Sequence, residues 1–304
     1  MRSIRLQSAM EYLMTYGWAI LIIAVVLGAL FQLGVFNAGA FAPRAPPGAC
    51  QVFRPNGPNT ATYVNLEGVC SGELPQYVGS FIGCSGCAST TLSWINAPNP
   101  DLASTSSLTI SAWIYTQTSV PCDQPIFTSL FNRVLPDGAG LVLIHMKPFF
   151  QTGNTITAAS FSGASNVITG SWTNIVATSA LGSGNIYVNG ALSSSGTTTY
   201  TIVSNSVDTN FGIGLDNTTY VCPGSYSHFN GTISNVQLYN TSFSQAEITA
   251  LYDEGIGGAP LKLQNLVGWW PLNGNANDYS GNNNNGVPNG VTYTNQWASG
   301  YTPP

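Results

Sequence analysis

The sequence predicts a mainly β protein in which one long N-terminal hydrophobic α-helix is followed by a single antiparallel β-sandwich. Residues 12–36 carry no charge and form the one long apolar run of the chain. After residue 90, short segments alternate apolar with small polar residues and end at Gly, Asn, Ser or Pro, a pattern typical of antiparallel strands. Only 6% of the residues are charged and 44% are hydrophobic, which favours a folded domain with a neutral polar surface.

The apolar run 12–36 is long enough to span a membrane. At about 1.5 Å per residue, a helix of this length exceeds the hydrocarbon core of about 30 Å. Arg2 and Arg5 precede the run, which places the N-terminus in the cytoplasm and the rest of the chain outside. An ordinary membrane anchor is one interpretation. A cleavable secretory signal ending at 38–40 is another, although its apolar core would exceed the usual length of about 7–15 residues.

The segment Gln7-Ser8-Ala9-Met10-Glu11-Tyr12-Leu13 stands directly before the apolar run. It resembles the processing site of archaeal type IV pilins, which carry a class III signal peptide. The resemblance implies that a prepilin-type peptidase cuts between Leu6 and Gln7, so that Glu11 becomes the fifth residue of the mature chain. Members of that family usually have Gly, Ala or Ser before the cut, where this chain has Leu6.

Glu11 has a physical role in this interpretation. A carboxylate at the edge of an apolar helix is costly in lipid and needs a partner. The new α-amino group of Gln7 on a neighbouring subunit can supply it and set the axial register of assembly. We therefore expect a precursor in the cell membrane and self-association of the helices into an extracellular surface filament.

The domain organisation follows from these signals. Three prolines, Pro43, Pro46 and Pro47, end the helix and stiffen the connection to the globular part. We expect a leader peptide at 1–6, a hydrophobic pilin-type or transmembrane helix at 7–38, a Pro/Ala/Gly linker at 39–49 and one domain at 50–304.

The six cysteines all follow the helix, and an even number outside the cell indicates disulfides. One arrangement pairs Cys50 with Cys70, Cys84 with Cys87, and Cys122 with Cys222, although six cysteines allow 15 pairings. Zinc is the alternative at the Cys84–Cys87 pair, but no second metal-spaced pair accompanies it, and we expect no metal. Three sequons predict N-glycosylation of an exported protein, at Asn217, Asn230 and Asn240.

The globular part contains an expected hairpin turn at Asn189-Gly190 and a short helix with a capping box at Ser244–Glu247. These elements, in this order, resemble a laminin-G-like (concanavalin A-like) jelly roll over about residues 75–304. The matching segments are Leu108–Tyr115, Gly170–Trp172, Ile186–Gly190, Phe229–Asn240 and Ser244–Tyr252.

The final segment, Trp269–Asn282, looks like the opening strand and turn of such a domain, yet it stands at the end. The chain is then either circularly permuted or begins a second, truncated repeat. A segment as short as 266–304 cannot bury a core of its own, which favours closure of the same sandwich.

The sequence predicts a binding or structural protein rather than an enzyme. The paired carboxylates of a glycosidase are missing from the predicted strands, because Asp123, Asp137, Asp208 and Asp216 fall in predicted loops. Domains of the resembled family bind glycans or proteins, often near calcium, for which Asp123, Asp208 and Asp216 offer oxygen ligands. We expect no other cofactor, and the net charge of −5 argues against nucleic acid.

The leading functional hypothesis is a structural subunit of a type IV pilus-like filament that displays a laminin-G-like domain and takes part in adhesion. The alternative is a monomeric membrane-anchored adhesin that binds a glycan or a protein on another surface.

Overall fold

The computed structural model describes residues 16–17, 19–27, 74–83, 92–98, 105–117, 123–129, 137–154, 156–203, 210–216 and 227–304. Within these ranges, two antiparallel sheets pack face to face, and a short α-helix stands in the chain before the last three strands. The prediction of a mainly β antiparallel sandwich is therefore confirmed.

The first sheet contains eight strands in the described part of the chain. Numbered in chain order, they are β1 (Val78–Phe81), β3 (Ser107–Tyr115), β8 (Trp172–Ala180), β9 (Ser183–Val188), β10 (Ala191–Thr197), β14 (Gly231–Tyr239), β15 (Leu266–Trp270) and β17 (Thr292–Thr294). Their spatial order is β10-β9-β8-β3-β14-β1-β17, and β15 also pairs with β14.

The second sheet contains seven described strands. They are β2 (Trp94–Pro98), β4 (Gln124–Thr128), β5 (Asp137–Ile144), β6 (Lys147–Asn154), β7 (Ala158–Ser162), β11 (Asn210–Ile213) and β16 (Val287–Asn289). Their order is β16-β2-β11-β4-β5-β6-β7. The short strands β12 (Leu215–Asp216) and β13 (Ser227–His228) form a separate pair.

The core lies between the two sheets and follows the alternation of the sequence. In the central strand β3, Leu108, Ile110 and Ile114 are fully buried in this core. From the facing sheet, Ile126 and Leu141 pack in the same cluster. Burying one such side chain contributes about 1.5–3 kcal/mol, so the period-two pattern fixes which face of each strand turns inward.

Two local predictions are confirmed. Asn189 and Gly190 have φ angles of 49° and 74° and connect β9 to β10, as a tight hairpin turn requires. The helix Gln245–Asp253 begins after Ser244, whose backbone N–H donates to the Glu247 carboxylate at 2.8 Å. Its apolar face packs in a second cluster on the outer side of the first sheet, through Ile248 and Leu251.

The C-terminal segment closes the same sandwich. Strand β15 pairs with β14, for example Trp270 with Val236. Strand β16 pairs with β2 in the second sheet, and β17 pairs with β1 in the first. A segment that is bonded to both sheets completes this domain and does not start another repeat.

Asp278 organises the Asn-rich turn that follows β15. Its side chain is 1% exposed. One carboxylate oxygen accepts hydrogen bonds from the backbone N–H groups of Trp269 (2.9 Å) and Ser280 (2.8 Å). The other accepts from the Ser280 hydroxyl (2.8 Å) and the Asn284 backbone N–H (2.9 Å). Four donors satisfy this buried charge and fix the turn to the start of the closing segment.

At the N-terminus, residues 16–17 and 19–27 are helical, and their side chains are exposed. No helix among the described residues is long and apolar enough to cross a membrane. The leader, the linker, the remainder of the predicted helix and the boundary at residue 50 lie outside the described residues and stay predictions.

Candidate ligand-binding pocket

A cavity of about 480 Å³ opens at one end of the first sheet. This volume falls in the range of about 300–1,000 Å³ typical of small-molecule sites. Strands β1, β3, β8, β14 and β17 supply its floor, and the chain after β17 supplies a wall.

The floor is one row of paired residues that crosses adjacent strands. Trp172 of β8 pairs with Tyr115 of β3, and Tyr115 pairs with Thr232 of β14. Thr232 in turn pairs with Ser80 of β1. Directly paired residues project from the same face of a sheet. Because the adjacent Ile114 lies in the core, the row faces outward, and the register of the sheet assembles the site.

Aromatic rings form the apolar part of the pocket. The ring centroids of Tyr115 and Trp172 lie 5.7 Å apart. Trp297 meets Trp172 edge-on at 6.3 Å with an interplanar angle of 83°, an arrangement that aromatic quadrupoles favour. Trp172 and Trp297 are 4% and 8% exposed, whereas Tyr115 is half-buried. Tyr115 is therefore the ring with most surface left for a ligand.

The wall is held by backbone and indole hydrogen bonds. The Trp172 indole N–H donates to the Trp297 carbonyl at 2.7 Å, and the Trp172 backbone N–H donates to the Gly300 carbonyl at 2.9 Å. Gly300 has φ +78°, and a Cβ there would clash with the Gly170 carbonyl. Tyr301 completes the attachment, because its hydroxyl accepts from the Ile256 N–H at 3.2 Å. Burial raises the pKa of Tyr301.

The polar lining is neutral. Among the described residues that line the cavity, none is Asp, Glu, Lys, Arg or His. Four polar side chains of the lining make no hydrogen bond within the described part of the chain: Ser80, Gln117, Thr232 and Gln296. Gln117 and Gln296 are exposed, and the other two are half-buried. Unused hydroxyls and amides beside an aromatic ring can bind a ligand that is rich in hydroxyl groups and carries no charge.

Two of the predicted site residues lie among the described residues, and one of them lines the pocket. Asn230 lies in the lining, together with the other two residues of its sequon. Asn240 lies at the opposite end of β14, exposed, with its side-chain oxygen accepting from the Asn265 amide at 3.0 Å. The remaining predicted residues lie outside the described residues: Leu6, Gln7, Glu11, Asn217 and all six cysteines, Cys50, Cys70, Cys84, Cys87, Cys122 and Cys222.

The acidic residues do not gather into a calcium site in the described ranges, where no group of three or more His, Cys, Asp or Glu side chains occurs. Asp123 is buried beside β4, and Asp208 is outside the described residues. Asp137 begins β5 and Asp216 ends β12, so the expectation that these two lie in loops was wrong. Strand ends at Gly-rich segments are difficult to place from the sequence.

The sequence reasoning missed the pocket itself. Tyr115 and Trp172 lie in two of the segments that resemble the jelly roll, but their pairing depends on register between distant strands. Trp297 and Gln296 carried no periodic signal. The one available sign was a Trp beside small polar residues after the last strand-like segment.

Comparisons with known proteins agree with this fold. The sequence profile of the concanavalin A-like lectin/glucanases superfamily matches residues 89–249, more than half of the chain. No curated protein sequence matches this chain significantly.

Solved structures with a similar fold include a candidate carbohydrate-binding protein from Bacteroides ovatus. It is 19% identical with a TM-score of 0.55, and the match covers 73% of this chain and 60% of that protein. This chain therefore spans under two thirds of the Bacteroides protein. A heptameric SAP-like pentraxin from Limulus polyphemus is 12% identical with a TM-score of 0.47, covering 72% of this chain and 94% of the pentraxin.

The profile match extends over strands β2 to β14, which form most of both sheets, and over the start of the capped helix. The profile ends at residue 249, whereas the two sheets continue through β15, β16 and β17. On the strength of the profile match, supported by the observed sandwich, this chain belongs to the concanavalin A-like lectin/glucanases superfamily.

Proposed function

We propose that this protein binds uncharged glycans through the pocket on the outer face of the first sheet. The observation that carries the proposal is the row Trp172–Tyr115–Thr232–Ser80, which sets an accessible aromatic ring beside unused hydroxyl groups. A sugar ring offers C–H groups to an aromatic face and hydroxyls to polar side chains, so it matches both halves of this lining.

The neutral lining restricts the class of glycan. A sialic or uronic acid brings a carboxylate, and no cation stands among the described lining residues to pair with it. The same lining has no carboxylate to hold calcium. We therefore expect binding of neutral saccharides that persists in the presence of a chelator.

The test is a glycan array probed with the full-length protein in detergent, with and without EDTA. Tyr115→Ala should weaken binding to neutral glycans by about tenfold or more, equivalent to about 1.4 kcal/mol. Tyr200→Ala is the matched control, because Tyr200 is 74% exposed and does not line the cavity. Binding restricted to acidic glycans, or lost in EDTA, would contradict the proposal.

The protein is then a subunit of a type IV pilus-like filament on the cell surface, and the filament displays the sandwich domain for adhesion. The segment Gln7–Leu13 before the uncharged run supports it. N-terminal mass spectrometry of the protein from its native surface should then find a chain that begins at Gln7. Glu11→Ala should abolish filaments, and unchanged filaments would refute the polymer.

A monomeric membrane-anchored adhesin is the second candidate. Leu6 favours it, because this large residue stands where related pilins have a small one before the cut. A mature chain that still begins at Met1 would support this candidate and would leave the proposed glycan binding unaffected.

A further inference from the structure

The sequon Asn230-Gly231-Thr232 lies entirely within the pocket lining. Asn230 is half-buried, and its backbone N–H donates to the buried side-chain oxygen of Gln124 at 3.3 Å. Within the described part of the chain, no hydrogen bond engages the Asn230 side-chain amide. The residue is thus fixed through its backbone while its Nδ2 stays available.

The backbone at this sequon has little freedom to turn Asn230 away from the cavity. Gly231 has φ +150°, and a Cβ there would clash with the Tyr115 carbonyl oxygen. Thr232 is fixed by pairing with both Tyr115 and Ser80. A sugar attached to Asn230 therefore starts at the rim of the row that forms the pocket floor.

The second described sequon offers a natural comparison. Asn230 and Asn240 flank β14 at its two ends. At about 3.3 Å per residue, the strand separates them by about 30 Å. Asn240 is exposed and does not line the cavity. A glycan at Asn240 consequently has the same chemistry without access to the pocket.

We propose that Asn230 is a glycosylation site whose attached sugar occupies the pocket, so that modification of Asn230 and binding of an external glycan exclude each other. In the transfer, Asn230 Nδ2 bonds to the anomeric carbon of a lipid-phosphate-linked saccharide. The bond from that carbon to the phosphate oxygen breaks, the lipid phosphate leaves with the electron pair, and the amide proton passes to solvent. Competition with an external ligand rests on the proposed function, whereas occupancy by the attached sugar does not.

The first experiment separates the native full-length protein on beads carrying mannan, galactan or dextran, three uncharged polysaccharides. Peptide mass spectrometry then measures sugar occupancy at both sequons in the bound and unbound fractions. The bound fraction should be at least tenfold depleted in sugar at Asn230, with equal occupancy at Asn240. The same chain produced in cells without N-glycosylation should bind completely, and Asn240→Gln should divide between the fractions as the native protein does. Equal Asn230 occupancy in both fractions would overturn the exclusion.

The second experiment needs no external ligand. Hydrogen exchange at the backbone amides of 296–299, in the pocket wall, should be slower when Asn230 carries its sugar than in Asn230→Gln. Asn240→Gln should leave this exchange unchanged. If no polysaccharide binds but the exchange differs, glycan binding fails and occupancy by the Asn230 sugar stands. Equal exchange, or no sugar on Asn230 in any fraction, overturns the inference.

Discussion

Asp278→Asn tests whether one buried carboxylate fixes the closing segment of the sandwich. The substitution keeps the shape of the side chain and converts one of its two acceptor oxygens into a donor. Placing the new NH₂ at the oxygen that serves Trp269 and Ser280 would leave two backbone N–H groups without an acceptor. At the other oxygen, the Ser280 hydroxyl can turn to the Val267 carbonyl, 3.2 Å away, and accept from the new NH₂, so the Asn284 N–H is the one backbone donor to Asp278 that loses its partner. The variant should adopt the second arrangement.

The expected loss follows from this count. A hydrogen bond to a charged acceptor contributes about 1.5–3 kcal/mol, and a stranded donor adds to the cost. The Asn284 N–H is only part-buried, which limits this addition, so we expect a loss of about 2–3 kcal/mol in the free energy of unfolding. For a domain of this size, that lowers Tm by roughly 4–12 °C.

Thermal unfolding of the full-length protein in detergent, followed by circular dichroism, measures this loss. Asp253→Asn is the matched control, because Asp253 is exposed at the end of the helix and loses the same charge. Its free energy of unfolding should change by no more than about 0.5 kcal/mol. If Asp278→Asn melts within about 1 °C of the unmodified chain, the four hydrogen bonds do not hold the turn and the reasoning fails.

Three further predictions concern the pocket and the pH response. Trp172→Phe removes the indole donor to Trp297 and should weaken neutral-glycan binding. Trp94→Phe, in the second sheet, should leave binding unchanged. If Trp172→Phe binds as tightly as the unmodified protein, the wall does not need this hydrogen bond. Gly231→Ala should lower Tm and abolish binding because of its clash with Tyr115, and a native-like melt with full binding would contradict the geometry. Burial, then the Asp253 charge, raise the pKa of Glu254 from 4.5 to about 7. The folded state then holds an extra proton between these values, so this group's contribution to stability is largest below about pH 4.5 and falls as pH rises toward 7. Glu254→Gln should flatten this part of the urea-midpoint profile, and an unchanged slope would argue against the assignment.

The sequence predicted the elements whose signals are local. The alternation in Ser107–Tyr115 marks the face that enters the core, and the structure places Leu108, Ile110 and Ile114 there, although it also covers the opposite face of the strand. The Asn189-Gly190 turn and the capping box at Ser244 depend on residues close together in the chain, and both are confirmed. The closing role of the last segment followed from its length, because so short a piece cannot form a core alone.

The pocket required information that periodicity does not carry. Its floor joins Ser80, Tyr115, Trp172 and Thr232, which meet through three strand pairings. Register between β3 and β14 also shifts along their length, between Ser234 and Gln237, so counting residues from one pair would misplace another. The wall comes from Trp297, whose carbonyl accepts a hydrogen bond from a residue more than a hundred positions earlier.

Closure of the fold and construction of the pocket depend on the same chain segment. Trp297 and Tyr301 cover an aromatic cluster on the outer face of the first sheet, and Trp297 also lines the cavity. A ligand that contacts this wall binds the closed state and has no site in the unfolded chain. Such a ligand stabilises the folded state by about 2.7 kcal/mol at a concentration one hundred times its Kd, and it therefore raises Tm. A thermal shift therefore shows that a glycan binds the folded state, and loss of that shift in Tyr115→Ala assigns the binding to the pocket.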